Sequence, residues 1–297
     1  MCKIMGVAKV NDENRDNVWA MVIALGDIMS RTQRDGLGYA AFDKKGRLFG
    51  ERWLENKLAF TDFSVNKKLT PAKIEKLYNF FGEEVLRKEA QSIILHTRMA
   101  TCGRGLANTH PFTDSLDKPH TAIIHNGIIA NDDELVKKFS TCDSEVLVHS
   151  YEKNEVSKSL DNIKKVVSEI IGWYTVLNLT TDGDGRMVMD IYTDAPRLTS
   201  YFVKELDTRV YCTSGMDIEE AASILEFTIS DRQVVKSNMA YRIDVLSGDL
   251  LQETKTVGRA EIHPDIEQIE GNIVYAEGTA DDEKFKQSFL KRFTGVE

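Results

Sequence analysis

Apolar residues recur along the chain with two periods, which predict strands in some segments and helices in others. Alternating positions predict a strand over residues 2–10, and the spacing of Val18, Val22, Leu25 and Met29 predicts a helix after it. Alternation predicts further strands at residues 37–43, 47–54, 92–99, 121–125, 173–181, 187–193, 199–203, 210–214 and 241–245. Helical spacing predicts a helix from Thr70-Pro71 to Leu86, two or three helices within 132–170, and helices at 217–225 and 282–293.

Strands and helices are grouped along the chain rather than strictly alternating. This grouping favours an α+β fold, in which helices pack outside antiparallel sheets. The Asn126-Gly127 pair is a turn signal and is expected to end the strand at residue 125. From about residue 252 the pattern weakens and acidic residues accumulate. We therefore expect one domain over residues 2–251 and an acidic C-terminal tail with a short helix over residues 252–297.

Composition excludes several classes of partner. The net charge is -9 and no Lys/Arg block is present, which disfavours nucleic-acid binding because phosphates require clustered positive charge. No apolar run is long enough for a membrane span. The cysteines are widely spaced and form no C-x-x-C pair; they are Cys2, Cys102, Cys142 and Cys212. We expect free thiols, a cytoplasmic location, and neither a metal site nor a cofactor.

Cys2 is the first residue with candidate chemistry. A small penultimate residue permits removal of the initiator methionine, which would make the α-amine of Cys2 the chain terminus. An α-amine has a reference pKa of about 8, so part of it is neutral near pH 7 and can accept the thiol proton. One residue then supplies both nucleophile and general base. Taken alone, a cysteine at this position is more often a bystander.

Three further segments carry candidate chemistry. They read Arg34-Asp35-Gly36-Leu37-Gly38-Tyr39, His96-Thr97-Arg98-Met99-Ala100-Thr101-Cys102-Gly103 continuing to Asn108-Thr109-His110-Pro111-Phe112, and His125-Asn126-Gly127-Ile128-Ile129. In this order, and after Met1-Cys2, they resemble the class II (Ntn-type) glutamine amidotransferase family, most closely its stand-alone glutaminase-domain members. The resemblance spans roughly residues 2–250. It implies the Ntn-hydrolase fold, an αββα sandwich of two antiparallel sheets covered by helices.

The resemblance also implies roles for individual residues. Cys2 corresponds to the nucleophile, which attacks the side-chain amide of glutamine and leaves a γ-glutamyl thioester for water to hydrolyse. Asn126 and Gly127 correspond to the oxyanion hole, where fixed donors stabilise the tetrahedral intermediate. Arg98 and Asp143 correspond to the groups that bind the α-carboxylate and the α-ammonium of glutamine.

These assignments have structural alternatives that the sequence leaves open. Asn126-Gly127 is also the commonest kind of hairpin turn. Arg98 is alternatively a surface ion pair, although it ends an apolar strand. Asp143 is alternatively a helix N-cap, since Ser144 and Glu145 follow it.

The remaining site residues surround this set. Thr101 and His110 correspond to positions around the glutamine pocket, although a lone histidine is as often structural. Asp35 and Gly36 correspond to a loop that packs near the nucleophile, and a plain turn is the alternative.

The implied function is hydrolysis of glutamine to glutamate, with the ammonia passed to an acceptor. Residues 252–297 are too few for an ammonia-consuming domain, and the chain has no glycine-rich phosphate-binding motif. We therefore expect a partner synthetase in trans. Two alternatives stay open: an Ntn amidohydrolase acting on another γ-glutamyl or amide substrate, and a non-catalytic binding module on the same fold.

Overall fold

The computed structural model describes residues 2–33, 35–54, 89–100, 103 and 105–256. The strands are β1 Lys3–Val7, β2 Gly36–Phe42, β3 Leu48–Trp53, β4 Ile93–Arg98, β5 Phe112–Thr113, β6 Thr121–Ile129, β7 Gly172–Thr181, β8 Met187–Thr193, β9 Thr199–Val203, β10 Thr208–Cys212, β11 Ile229–Val234, β12 Met239–Asp244 and β13 Leu250–Lys255. The α-helices are α1 Arg15–Ser30, α2 Glu145–Lys153, α3 Ile163–Glu169 and α4 Gly215–Leu225.

The strands form two antiparallel sheets. The first sheet has the order β11-β9-β10-β1-β4-β2-β3, and the second has the order β13-β12-β8-β7-β6-β5. The N-terminal strand β1 lies in the middle of the first sheet, paired with β4 on one side and β10 on the other. A strand in that position is held by two ladders of backbone hydrogen bonds, so the residue before it is rigidly placed.

Apolar side chains fill three layers between these elements. The two sheets share one layer, in which Ile4 and Ile94 of the first sheet cluster with Ile124 and Leu177 of the second. The outer face of the first sheet packs against α1 and α4, and that of the second packs against α2 and α3. The predicted α+β fold with αββα layering is therefore confirmed. None of the helices in the described ranges is long and apolar enough to cross a bilayer.

One predicted strand boundary is wrong. The Asn126-Gly127 pair does not end its strand in a turn, because β6 continues to Ile129 and pairs with β7 along its whole length. Gly127 lies opposite Tyr174, so close to β7 that a Cβ atom would be 2.1 Å from the Trp173 carbonyl oxygen. Pairing with the neighbouring strand outweighs the local turn preference of this dipeptide.

Three strands were not predicted from the pattern, namely the two-residue strand β5 and the longer strands β11 and β13. β11 and β13 are the edge strands on one side of the two sheets, and most of their side chains are exposed. Edge strands with polar side chains on both faces lack the alternation that identifies a half-buried strand. β13 also runs past residue 251, the predicted end of the domain. The helix predicted from Thr70 and the helix predicted at residues 282–293 lie outside the described residues.

A buried ion pair ties the second sheet to the segment after α2. Arg242 on β12 donates to both carboxylate oxygens of Asp190 on β8, at 2.8 and 2.7 Å. The Tyr151 hydroxyl donates to the same carboxylate. Arg242 also donates to the carbonyls of Val156 and Ser157 at 2.8 and 3.0 Å. The guanidinium thus satisfies four acceptors, three of them buried, and its removal leaves an unpaired buried charge.

Arg242→Met should lower the free energy of unfolding by about 3–5 kcal/mol, because Asp190 then stays buried without its partner. Urea denaturation followed by circular dichroism measures this loss. The control is Lys153→Met, which removes an ion pair with Glu169 from a lysine whose side chain is 66% exposed. That change should lower stability by less than about 1 kcal/mol. Equal losses for the two variants would contradict this account of Arg242.

Candidate active site

Strand β1 begins directly after Cys2 and brings this residue to the end of β4. Antiparallel pairing sets Lys3 opposite Thr97, so Cys2 reaches the segment that follows Arg98. The sulfur lies 3.4 Å from both the amide nitrogen and the carbonyl oxygen of Met99. The Met99 N–H donates to the sulfur and the thiol donates to the Met99 carbonyl. The backbone of one residue therefore holds the thiol through two contacts.

The surroundings of the Cys2 thiol keep it protonated. Burial raises its pKa, while the hydrogen bond from Met99 and the positive charge of Arg98 lower it by less. The negative charge of Asp143 raises the pKa further. Since the thiolate is the reactive form of cysteine, this sulfur needs a nearby base before it can act as a nucleophile.

The loop before β2 holds the backbone on both sides of Met99. The Asp35 N–H donates to the Arg98 carbonyl at 2.9 Å, and Asp35 Oδ2 accepts the Ala100 N–H at 2.7 Å. The register between β2 and β4 places Gly36 opposite Arg98. Asp35 and Gly36 thus lie beside the segment that contacts the Cys2 sulfur.

Two buried groups of opposite charge act on the thiol from different elements. Arg98 ends β4, is 2% exposed, and donates from Nη2 to the Gly103 carbonyl at 2.6 Å. Asp143 precedes α2, is 4% exposed, and accepts the Ile129 N–H on Oδ2 at 2.8 Å. Both charges are close enough to shift the pKa of Cys2. Arg98 is therefore a buried cation beside the cysteine, not a surface residue.

Asn126 and Gly127 lie on β6, which contacts both β1 and β4 from the facing sheet. The Asn126 side chain is 6% exposed, and its buried Oδ1 has no hydrogen-bond partner within the described part of the chain. Gly127 is enclosed by Trp173 and His125, and a Cβ atom there would lie 2.5 Å from His125 Nε2. Only glycine fits this position without moving its neighbours.

Three buried histidines lie close to one another in this part of the structure. The His96 and His110 rings stack with centroids 3.9 Å apart, and His125 lies 6.5 Å from His110. Burial lowers the pKa of His96 to about 3, and it lowers the pKa of His110 and His125 as well. All three rings are therefore neutral at neutral pH. His110, which the sequence assigned to the glutamine pocket, is 3% exposed and packs edge-on against Phe112.

Two contacts in this region had no signal in the sequence. The first is the Met99 backbone, which meets Cys2 only because β1 and β4 pair. The second is Ser144, which occupies the N-cap position of α2 without a capping hydrogen bond. Its hydroxyl instead forms a hydrogen bond with His125 Nδ1 at 2.8 Å. Both contacts depend on tertiary packing and not on residue type or spacing.

Other predicted features of the site have different outcomes. Thr101 lies outside the described residues. Cys2 and Cys212 are free thiols, but Cys142 is disulfide-bonded, so the prediction of a free thiol is wrong at that position. The disulfide forms because two chain segments meet in three dimensions, which cysteine spacing does not reveal. Within residues 2–256, so far as they are described, no group of His, Cys, Asp and Glu side chains is arranged to hold a metal ion.

Known proteins similar to this chain are larger enzymes. No family model matches the chain. Amidophosphoribosyltransferase from Methanothermobacter thermautotrophicus is 31% identical over 129 residues, which cover 39% of this chain and 27% of that protein. The isomerizing glutamine–fructose-6-phosphate aminotransferase from Methanocaldococcus jannaschii is 28% identical over 192 residues, covering 59% of this chain and 16% of that protein.

Solved structures share the fold over most of the chain. Glutamine phosphoribosylpyrophosphate amidotransferase from B. subtilis, complexed with ADP and GMP, has a TM-score of 0.57 at 18% identity. A structure described as the allosteric regulatory enzyme of purine biosynthesis has a TM-score of 0.58 at 19% identity. Each alignment covers 86% of this chain and 49% of the other.

These similarities define the class of fold, which is the Ntn-hydrolase αββα sandwich. The resemblance to class II, Ntn-type glutamine amidotransferases is confirmed, because the two sequence relatives are enzymes of that class. The chain spans 27% and 16% of the two sequence relatives and 49% of each structure, so it corresponds to a part of each.

The neutral histidines predict a loss of stability in acid. A histidine whose pKa is lower in the folded state binds its proton first in the unfolded chain, near pH 6.5. For His96 the window runs from about pH 6.5 down to about 3. Over most of this window the free energy of unfolding should fall by about 1.4 kcal/mol per pH unit for this residue.

Urea denaturation of wild type and His96→Gln between pH 7 and pH 4.5 measures the effect, and the variant should have the shallower slope. The control is His120→Gln, since the His120 side chain is 81% exposed. That variant should keep the wild-type slope. A wild-type slope in His96→Gln would show that His96 does not govern the acid response.

Proposed function

We propose that this chain is a glutaminase of the class II amidotransferase type, with Cys2 as the nucleophile. The observation that carries the proposal is the environment of the Cys2 sulfur. The sulfur is hydrogen-bonded to the Met99 backbone. The buried cation Arg98 lowers its pKa, and the buried anion Asp143 raises it. A thiol between two fixed, opposite charges suits a substrate that carries both charges itself.

The two charges favour a free amino acid as substrate. In the proposal, the Arg98 guanidinium binds the α-carboxylate and the Asp143 carboxylate binds the α-ammonium. Because both side chains are almost fully buried, water screens them little and their attraction for substrate charges is strong. A substrate held at its α-carbon would present its side-chain amide towards the thiol, since Cys2 is close enough to both groups to sense their charges.

Proton transfer explains the need for an N-terminal cysteine. The raised pKa leaves Cys2 as a thiol at neutral pH, and the ring nitrogens of His96 make no hydrogen bond to it. In the proposal, removal of Met1 frees the α-amine of Cys2, which takes the thiol proton. The sulfur then bonds to the amide carbon, and the resulting oxyanion is stabilised by the Asn126 side-chain amide and the Gly127 N–H.

The intermediate then collapses in two steps. The C–N bond breaks, and the nitrogen leaves as ammonia after receiving the proton held by the α-amine. The carbon remains bonded to sulfur as a γ-glutamyl thioester. Water adds to this carbon, the C–S bond breaks, and glutamate leaves while the thiol regains its proton. Thr101 and His110 are proposed to line the glutamine pocket, and Asp35 and Gly36 to hold the Met99 segment in place.

We further propose that the ammonia is delivered to a separate synthetase. The relatives are named as transferases, an amidophosphoribosyltransferase and a glutamine–fructose-6-phosphate aminotransferase, and this chain matches only a part of each. Ammonia that reaches bulk water is protonated and is then no longer a nucleophile. The acceptor must therefore react with the ammonia while the ammonia is still neutral. A complex in which that acceptor site lies close to Cys2 meets this requirement.

The purified protein, with Met1 removed, should release glutamate and ammonia from glutamine. Cys2→Ala should abolish release, whereas Cys212→Ala should retain it because Cys212 is buried in the core of the first sheet. N-acetylglutamine and glutamine methyl ester should both be poor substrates, since each removes one charge that Arg98 or Asp143 would bind. Efficient cleavage of either analogue would favour a different amide substrate. A protein that hydrolyses neither glutamine nor the analogues, alone or with cell extract, would favour a binding module.

Asn126→Ala should lower kcat for glutamine by about 10²–10³, as expected for loss of one oxyanion donor. Steady-state kinetics with a coupled glutamate assay measures it. The matched control is Asn17→Ala, which removes an amide from the exposed face of α1 and should leave kcat unchanged. A change confined to KM would assign Asn126 to substrate binding.

A further inference from the structure

Two hydrogen bonds join β6 to the start of α2, and they lie next to the proposed catalytic residues. The Ile129 N–H donates to Asp143 Oδ2 at 2.8 Å. His125 Nδ1 and Ser144 Oγ share a second hydrogen bond of 2.8 Å. His125 immediately precedes Asn126, and Ser144 immediately follows Asp143. The strand with the proposed oxyanion donors is therefore bonded directly to the turn with the proposed ammonium-binding carboxylate.

The orientation of the His125 ring depends on Ser144. The ring is 1% exposed, and its Nε2 makes no hydrogen bond within the described residues. The bond to Ser144 on Nδ1 and the contact of the ring with the Trp173 backbone together fix the rotation of the ring. Burial lowers the pKa of His125 and keeps the ring neutral, so the contact is a neutral hydrogen bond and not an ion pair.

The orientation of this ring in turn limits the backbone at Gly127. The Nε2 edge lies against the α-carbon of Gly127, where a Cβ atom would be 2.5 Å from Nε2. The Trp173 carbonyl oxygen lies near the same point, 2.1 Å from such a Cβ atom. A rotated His125 ring would push on the strand at the residue whose N–H is proposed to bind the oxyanion. Shifts of about 1 Å in a catalytic group lower rates by as much as 10².

Ser144 is free to serve this purpose because it has no capping role. It stands at the N-cap of α2, where serine commonly accepts a backbone N–H, yet its side chain makes no such bond. Its oxygen instead lies 2.8 Å from His125 Nδ1 and 3.3 Å from Asp143 Oδ1. One hydroxyl thus contacts the carboxylate on one side and the histidine on the other.

We propose that His125 and Ser144 form a positioning pair, which sets the distance between the oxyanion donors on β6 and the Asp143 carboxylate. The proposal rests on the function proposed above for Asn126, Gly127 and Asp143. Neither His125 nor Ser144 needs to touch the substrate. The pair holds two halves of the site together, one from a strand and one from a helix start, and so aligns the reacting amide with the α-ammonium.

Ser144→Ala tests the pair without leaving a large cavity. It should lower kcat by about tenfold or more and raise KM for glutamine, because both halves of the site lose their alignment. Ser144→Thr keeps the hydroxyl and should restore most of the activity. The control is Ser150→Ala on the same helix, whose hydroxyl donates to Glu169 at 3.0 Å, and it should leave both constants unchanged.

A double-mutant cycle tests whether the two residues act as a unit. His125→Leu and Ser144→Ala, when combined, should reduce kcat/KM by no more than about twofold beyond the larger single loss, since the second change removes a bond already broken. If the two losses multiply, the residues act separately and the proposal is overturned.

Hydrogen exchange at Ile129 supplies a readout that does not depend on activity. The Ile129 amide should exchange faster in Ser144→Ala than in wild type or Ser150→Ala, because its acceptor Asp143 is then held less firmly. One outcome is that wild type is active, and that Ser144→Ala and Ser150→Ala have the same kinetic constants and the same Ile129 exchange rate. That outcome would overturn the positioning pair and leave the glutaminase proposal intact. Wild type without glutaminase activity, but with the faster Ile129 exchange in Ser144→Ala, would overturn the function and leave the pair intact.

Discussion

The antiparallel pairing of β1 with β4 is the constraint on which the site depends. It places Cys2, which carries no secondary structure itself, against the backbone of Met99 and beside Arg98. β1 is also paired with β10, so it cannot slide without breaking two ladders. A one-residue slip would reverse the side chains of the strand and send Ile4 from the core between the sheets to the opposite face. The position of the N-terminal thiol is thus secured by the whole first sheet.

The second sheet carries the proposed oxyanion donors, which the first sheet lacks. Strand β6, which carries Asn126 and Gly127, contacts β1 and β4 from the facing layer. The start of α2, on the outer side of that sheet, adds Asp143 through its bond to Ile129. A site assembled from two sheets and a helix start is precise only if the layers keep their spacing. The apolar cluster between the sheets and the buried contacts at α2 both maintain that spacing.

Electrostatics in this region follow from burial. Arg98 and Asp143 are nearly inaccessible to water, and the histidines beside them are held neutral by desolvation. Neutral histidine rings add no positive charge that would compete with Arg98 for an anionic group. The same burial raises the pKa of the Cys2 thiol, which makes a dedicated base necessary. In the proposed mechanism, an N-terminal amine on the same residue meets that need without another side chain.

Sequence periodicity by itself determined most of the strands, the grouping that predicts antiparallel sheets, and, through four ordered motifs, the class of fold. The tertiary structure decided the features that arise between distant segments. Local preference at Asn126-Gly127 indicated a turn, but pairing with β7 makes it part of a strand. Strands β11 and β13 carry polar side chains on both faces, so only their partners identify them. The bond between His125 and Ser144 joins residues 19 positions apart through packing of α2 on the second sheet, and no local pattern encodes such a contact.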